Sequence, residues 1–245
     1  MENNNLFNDP IQRTESSFTG ENAIAKSFLS NVFAYMASAL TITGAIAYWF
    51  GTDMDLISML FNAEGGMNAL GSIVTFAPFG FVLLISVGFQ KFSSTVLLGL
   101  FLIYSLLMGL SLSTIFLVYT GSSIFTTFFI TAATFAVMAV LGYTTKTDLT
   151  KFGSILMMAL IGIIIASVVN IFMGNAMMDL IISVLGVLIF TGLIAYDVQK
   201  LKRIGSGEEY GYEMTNKLAI MGALSLYLDF VNLFLFMLRF LGDRK

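Results

Sequence analysis

Two aspartates lie where the chain is otherwise apolar, and their side chains are the strongest candidates for chemistry. Asp197 ends an uncharged stretch, residues 180–196, and is followed by a basic segment, residues 200–203. Asp229 lies within the apolar run LSLYLDFVNLFLF. Ionisable side chains inside membrane segments are rare, energetically costly and usually functional. The two carboxyl groups are therefore the first candidates for a functional site.

An aspartate near the middle of the membrane is a stronger candidate for a functional residue than one near the surface. Asp229 follows Lys217 by twelve residues, which is about 18 Å along a helix and close to the middle of a bilayer. A charge at that depth costs roughly 2.5 to 3.5 kcal/mol, so it requires a partner, a proton or water. Asp197 lies nearer the basic segment, so it is either functional or an interfacial residue that pairs with Lys200 or Lys202.

If the two carboxyl groups meet, they form a proton-sensitive pair. Two interacting carboxylates titrate together and hold one proton between them at neutral or mildly acidic pH. When both are ionised, the pair repels itself or binds a hard cation, for which calcium is the natural candidate. Asp197 and Asp229 lie at different distances from their basic flanks, so untilted helices would leave them roughly 10 Å apart in depth. Helix tilt, or an inward loop at residues 204–216, has to close that gap.

Each aspartate shares a helical face with small and polar residues. The last apolar run carries Gly222, Ser225, Asp229 and Asn232 at intervals of three, four and three residues. The preceding run carries Asp179, Ser183, Gly186, Phe190 and Asp197. Residues at such intervals lie along one side of an α-helix. We therefore predict that the two faces point into a helical bundle. Ser225, Asn232 and Tyr196 are predicted to support the carboxyl pair.

The composition indicates an all-α integral membrane protein whose main partner is the lipid bilayer. The chain has 245 residues, of which 57% are apolar and only 11% are charged, whereas soluble domains carry about 25% charged residues. It contains no cysteine and no histidine, so any pH response has to come from carboxyl groups. No nucleotide-binding, haem or zinc signature is present, and we predict no cofactor and no nucleic-acid partner.

Seven apolar runs are long enough to cross a membrane. They cover residues 27–50, 72–89, 94–119, 122–143, 152–173, 177–198 and 218–241. The preceding polar segment, residues 1–26, lacks the pattern of a signal peptide and is predicted to be a disordered cytoplasmic tail. Residues 27–245 would then form a single seven-helix domain.

The distribution of Lys and Arg predicts a cytoplasmic N-terminus. Basic residues precede the first run and occupy every second loop after it, while the alternate loops contain none. Arg239, Arg244 and Lys245 are exceptions, because they would lie outside if the last run crosses completely. A re-entrant last segment would remove that conflict, but the run is long enough to span, and we predict seven full spans.

Four motifs resemble the Bax inhibitor-1 family of membrane proteins. They are YSLLMGLSLSTIF at 104–116, YTTKTDLTKFG at 143–153, TGLIAYDVQKLKRI at 191–204 and LYLDFVNLFLFMLRFLG at 226–242. The resemblance covers nearly all of the chain after residue 26 and suggests a bacterial member. It implies a seven-helix bundle with the last helix at its centre.

The resemblance also implies a pH-sensitive calcium leak governed by an aspartate pair on the last two spans. Asp197 stands at the position of the AYD motif, beside Tyr196, and Asp229 at that of the LYLD motif. Family members can hold this pair closed with an arginine from the second span. Here the second span has no basic residue before Lys91 at its end, so the resemblance does not supply that latch.

The sequence favours a calcium channel, gated by protonation of the pair, over two other functions. The first alternative is a regulator that binds other membrane proteins, since some bacterial relatives are linked to control of a membrane-bound AAA protease. The second is an intramembrane aspartyl protease, because two close aspartates can activate water. The LYLD motif lacks the glycines of the GxGD pattern of such proteases, and no PAL motif follows it. We therefore predict a protein that is not an enzyme, in a bacterial inner membrane, with calcium and protons as partners.

Overall fold

The computed structural model describes residues 10–62, 64–207 and 210–245, and within them the regular structure is entirely helical. The helices are α1 (Pro10–Thr52), α2 (Met54–Ser58), α3 (Ala69–Gly88), α4 (Ser94–Leu112), α5 (Ile115–Val118), α6 (Gly121–Thr144), α7 (Thr150–Met173), α8 (Ala176–Ser206) and α9 (Tyr212–Leu241). Seven spans are long and apolar enough to cross a membrane, with α4 and α5 together forming the third. The prediction of an all-α seven-span membrane protein is confirmed.

The third span is interrupted, although its sequence predicts one continuous helix. The interruption falls at Ser113 and Thr114, whose hydroxyl groups donate to the carbonyl oxygens of Leu110 and Ser111 at 2.6 and 3.0 Å. Such local bonds from Ser and Thr compete with the regular helical pattern and bend helices. A short second helix, α5, then completes the span.

The described part of α1 extends into the segment predicted to be a disordered tail. Residues 1–9 lie outside the described residues, but the backbone is helical from Pro10 without a boundary near residue 26. A helix already formed in the membrane extends at low cost. A domain boundary at residue 26 stays a prediction.

The last helix lies at the centre of the bundle, as expected. α9 packs against α1, α4, α6 and α8, and 67% of its most apolar window is buried. For α7, which lies at the edge of the bundle and packs against α8, the corresponding figure is 17%. The central position of α9 follows from its composition, because small and polar residues occur along it where a lipid-facing helix carries large apolar ones.

Contacts at both ends of α9 show that it crosses the whole bundle. At its start, the Glu213 carboxylate accepts hydrogen bonds from the backbone N–H and hydroxyl of Ser94, the first residue of α4. Beyond its end, the Lys245 N–H donates to the Val118 carbonyl at the end of α5. The last segment is therefore a full span. We call the end of the bundle that holds Ser94 and the α6–α7 connection the basic end, and the opposite one the far end.

Glycines let α8 approach its neighbours closely. A Cβ at Gly142 of α6 would lie 2.3 Å from the Ala195 carbonyl oxygen on α8, and one at Gly153 of α7 would lie 2.4 Å from the ring of Tyr196. Small residues at helix contacts permit close packing within membranes. These two contacts hold the half of α8 that carries Asp197.

Candidate functional site

The candidate site lies between α8 and α9, where the two predicted polar faces meet. The Ser225 hydroxyl donates a hydrogen bond to Oδ2 of Asp197 at 2.6 Å. Asp229, one helical turn beyond Ser225 on α9, faces the same carboxyl group closely enough for a hydrogen bond when one of the two acids carries a proton. The structure therefore brings together Asp197, Asp229 and Ser225.

The two carboxyl groups have different surroundings. Asp229 is only 7% exposed, and its Oδ2 atom is the one buried side-chain oxygen or nitrogen in the described ranges that has no hydrogen-bond partner. Asp197 is partly exposed and lines a cavity. A buried polar atom without a partner is costly, so its presence in a folded protein requires an explanation. A proton or an ion between the two acids would supply one.

The cavity beside Asp197 has a volume of about 510 Å³ and reaches the basic end of the bundle. Its walls come from α3, α8 and α9, and include Val82, Ser86, Phe89, Asp197, Lys200, Ile204, Leu218 and Ser225. Its inner part is polar at Asp197 and Ser225, whereas most of the remaining wall is apolar. The cavity gives one carboxyl group of the pair access toward the surface, while the other lies behind it.

Neither aspartate of the site forms an ion pair with a lysine or arginine in the described part of the chain. The two ion pairs found there are Arg203 with Asp148 and Arg239 with Asp179. Lys200 shares the cavity with Asp197 but lies more than 4.0 Å from its carboxylate. Lys202 donates to the Tyr143 carbonyl at 2.9 Å and lies over the ring of that residue. The described residues therefore show no ion pair of Asp197 with Lys200 or Lys202, and the choice between a functional and an interfacial role for Asp197 stays a prediction.

The expected difference in depth between the two aspartates does not keep them apart. Both helices continue past the apolar runs, since α8 ends at Ser206 and α9 begins at Tyr212. Asp197 lies level with Ser225, and one further helical turn, about 5.4 Å, separates Ser225 from Asp229. The side chains of Asp197 and Asp229 are long enough to bridge this remaining distance along the helix axis.

Two predicted supporting residues, Asn232 and Tyr196, form no hydrogen bond with the carboxyl pair among the described residues. The Asn232 amide donates to the Leu228 carbonyl of its own helix at 2.8 Å. The Tyr196 ring packs against Gly153 of α7, on another side of α8 from Asp229. Among the described residues, no hydrogen bond joins either side chain to an aspartate of the pair.

The far end of the contact between α8 and α9 is closed by apolar and oppositely charged groups. Phe190 of α8 and Phe236 of α9 are stacked, with their ring centroids 5.8 Å apart. Gly186 lies against Phe236. Nearer the far end, Arg239 and Asp179 form an ion pair of 2.6 Å. Sequence reasoning missed this ion pair, although both residues stand at the outer ends of adjacent antiparallel spans.

The residues around the pair do not form a preorganised calcium cage. No group of three or more acidic, His or Cys side chains suited to a metal occurs in the described ranges. Calcium usually takes six to eight oxygen ligands. An ion at Asp197 and Asp229 would therefore have to complete its coordination with water, the Ser225 hydroxyl or backbone carbonyls.

Comparisons with known proteins place most of the chain in a single family. The family model described as "Inhibitor of apoptosis-promoting Bax1" matches residues 25–245. A protein of Borreliella burgdorferi is 46% identical over 222 residues, covering 91% of this chain and 94% of that protein. "Inner membrane protein YbhL" of Escherichia coli is 41% identical over 223 residues, covering 90% of this chain and 93% of that protein. A protein of Caulobacter vibrioides is 39% identical over 246 residues, covering 96% and 95%.

Proposed function

Since the chain belongs to the Bax inhibitor-1 family, we propose that it is a pH-sensitive calcium leak channel gated by Asp197 and Asp229. The observation that carries this proposal is the buried Oδ2 atom of Asp229, which has no hydrogen-bond partner in the described part of the chain and lies behind a second carboxyl group at the end of a cavity. Membrane-embedded carboxyl groups of this kind mark ion and proton pathways.

The proposed gate works through repulsion between the two acids. With one shared proton, Asp197 and Asp229 attract each other and hold α8 against α9. Loss of that proton leaves two negative charges in a poorly hydrated site, where repulsion between them is strong. The helices then separate, or a cation enters to neutralise the pair.

Calcium suits the proposed site because its coordination is flexible and uses oxygen ligands. Two carboxyl groups and the Ser225 hydroxyl supply only part of such a shell, so binding would be weak. Weak binding favours conduction, because a permeating ion has to leave the site as well as enter it. Passage of an ion requires no catalytic step.

The far end would be the closed side of the channel in this conformation. Between Asp229 and the far end, the contact of α8 with α9 holds the stacked rings of Phe190 and Phe236 and then the ion pair of Arg239 with Asp179. We assign the basic end to the cytoplasm, because Lys and Arg favour that side. The N-terminus would then be cytoplasmic, and the name of the Escherichia coli relative supports a bacterial inner membrane.

The proposal is tested by calcium flux into proteoliposomes at pH 6, 7 and 8. The purified protein should conduct more than empty liposomes, and its flux should change with pH. Asp197→Asn and Asp229→Asn should each remove the pH dependence, since one titrating carboxyl group of the pair is lost. Ser72→Ala is the control, because among the described residues the hydroxyl of Ser72 bonds only to the Asn68 carbonyl at the start of α3, away from the carboxyl pair.

A flux equal to that of empty liposomes at every pH would contradict the channel. A flux whose pH dependence survives in both variants would assign the gate to other residues. In the first case the alternative function, regulation of other membrane proteins, becomes the better one and is tested by co-purification from membranes.

A further inference from the structure

Gln199 joins α8 to the connection between α6 and α7, two residues beyond Asp197. Its side-chain N–H donates to the Thr147 carbonyl at 2.8 Å, and its oxygen accepts from the Leu149 N–H at 2.9 Å. The residue is only 7% exposed. One buried amide therefore satisfies both a donor and an acceptor of the connecting backbone, which fixes its distance and direction from α8.

Two neighbouring side chains of α8 reinforce this attachment. Lys202 donates to the Tyr143 carbonyl at the end of α6. Arg203 donates to Asp148 and to the Thr150 hydroxyl, at 2.6 and 3.0 Å, and also to the Gln199 oxygen. We call the three residues Gln199, Lys202 and Arg203 the α8 clasp. Together they hold residues 143–150 against one side of α8.

The clasp and the carboxyl pair lie on different sides of the same helix. Residues two apart in an α-helix point about 200° apart, so Gln199 faces the α6–α7 connection while Asp197 faces α9. A helix held on one side cannot rotate freely about its axis. The orientation of Asp197 toward Asp229 thus depends on the attachment at Gln199.

We propose that Gln199 is a positioning residue, which sets the rotation of α8 and thereby holds Asp197 against Asp229. An effect of Gln199 on gating rests on the proposed channel function, whereas its effect on the position of Asp197 does not. Asp197 faces Asp229 from α9 and shares its cavity with Lys200 of its own helix. The α3 wall of that cavity, formed by Val82, Ser86 and Phe89, has no titratable group.

Loss of the Gln199 side chain should release the clasp. Gln199→Ala leaves the Leu149 N–H and the Thr147 carbonyl without their partners, and also removes an acceptor of Arg203. Unpaired backbone groups favour rearrangement of the segment that carries them, since a buried unpaired group is costly. The end of α8 would then be free to rotate, and the two carboxyl groups would meet less often.

The geometric part is tested by cross-linking, for which a chain without cysteine is well suited. Asp197→Cys with Asp229→Cys places two thiols at the positions of the pair. A short bifunctional thiol reagent should join them efficiently in membranes. Adding Gln199→Ala should lower the cross-linked fraction at least about threefold, because a lost buried hydrogen bond shifts an equilibrium by that order.

Asn170→Ala is the matched control for the loss of a buried amide. Asn170 is 8% exposed, accepts from the Asn175 N–H at the turn between α7 and α8, and donates to the Asp179 carboxylate at 3.4 Å, so both of these contacts lie at the far end, away from positions 197 and 229. It should destabilise the protein without changing cross-linking between positions 197 and 229. An equal decrease in both variants, or no decrease in Gln199→Ala, would overturn the positioning role.

The gating part is tested by the pH profile of calcium flux with the aspartates present. Gln199→Ala should shift the midpoint or flatten the profile, while Asn170→Ala should leave its shape unchanged. Gln199→Glu keeps the bond from Leu149 and the contact with Arg203 but cannot donate to Thr147, so its profile should lie between those of the native chain and Gln199→Ala. An unchanged profile in Gln199→Ala would overturn the link to gating.

The two readouts separate failure of this inference from failure of the channel. If the native protein shows no flux but cross-linking responds to Gln199→Ala, the positioning role stands and the proposed channel fails. If flux is present and pH-dependent but cross-linking is unaffected, the channel stands and the positioning role fails.

Discussion

The two ends of the contact between α8 and α9 differ in whether their carboxyl groups are paired with a basic side chain. Toward the basic end, two carboxyl groups face each other with no base paired to them among the described residues, and a cavity reaches one of them. Toward the far end, Asp179 pairs with Arg239 behind a stacked pair of rings. Under the proposed function, the uncompensated like charges form a switch, because protonation changes their interaction from repulsion to attraction. The oppositely charged Asp179 and Arg239 attract each other and form a lock, by which we mean a contact that holds the two helices together.

The two ends also differ in how tightly their side chains pack. At the far end, a Cβ on Gly186 would lie 2.5 Å from the ring of Phe236, which is already stacked on Phe190. Nearer the basic end, a Cβ on Gly222 would lie 2.5 Å from Leu201, whose side chain borders the cavity and has room to move. The same chemical change should therefore have unequal effects at the two positions.

The largest effect is expected from Gly186→Ala. Because the Phe236 ring cannot move away from its stacked partner, we expect the free energy of unfolding to fall by about 1 to 3 kcal/mol, the usual range for an overpacked core. Gly222→Ala should cost less than about 1 kcal/mol, since Leu201 can turn into the cavity. Denaturation in mixed detergent micelles measures both. Equal losses would show that the two ends are packed alike.

Opposite effects are expected when a carboxyl group is neutralised at each end. Asp229→Asn removes repulsion and should stabilise the protein, by on the order of 1 kcal/mol at pH 8 and less at pH 5, where a proton already relieves the repulsion. Asp179→Asn leaves Arg239 without its partner and should destabilise it by about 1 kcal/mol, since the pair is partly exposed. Thermal denaturation at both pH values measures the signs. Changes of the same sign would contradict the contrast between switch and lock.

The smallest effect is expected from Asp148→Asn on the α6–α7 connection. Hydrogen bonds from Thr150 and Arg203 hold the pKa of the Asp148 carboxyl well below its usual range. A carboxyl group with a lowered folded-state pKa stabilises the protein above its unfolded-state pKa, and that contribution disappears as the pH falls toward the folded-state value. Asp148 therefore stays ionised between pH 5 and 8. The variant should leave the pH trend of thermal stability unchanged over that window, and an altered trend would contradict this.

The sequence was sufficient for the features that depend on local composition. Hydropathy identified all seven spans, and helical periodicity identified the faces of Asp197 and Asp229. The central position of α9 came from the family resemblance, although the polar residues along that helix agree with it. Each of these properties is set within one segment of the chain.

The remaining features depend on distant parts of the chain. The attachment of Gln199 to Thr147 and Leu149 joins residues about fifty positions apart, and Glu213 reaches Ser94 over an even longer interval. No local pattern marks such partners. The expected difference in depth between Asp197 and Asp229 was counted from their basic flanks, whereas the helices continue to Ser206 and from Tyr212.

The central position of α9 has a consequence for biosynthesis. The helix that fills the middle of the bundle is made after the other six, since it is the seventh span in chain order. Until it enters the membrane, inward-facing hydroxyl groups such as those of Thr43 and Ser105 lack its cover; in the finished bundle the Thr43 hydroxyl lies 2.7 Å from that of Tyr227 on α9. Six inserted helices would therefore form an incomplete bundle, and insertion machinery or lipid has to shield their inward-facing polar groups until α9 is added. Stalling translation before residue 212 should trap a protease-sensitive intermediate that becomes resistant when α9 is added.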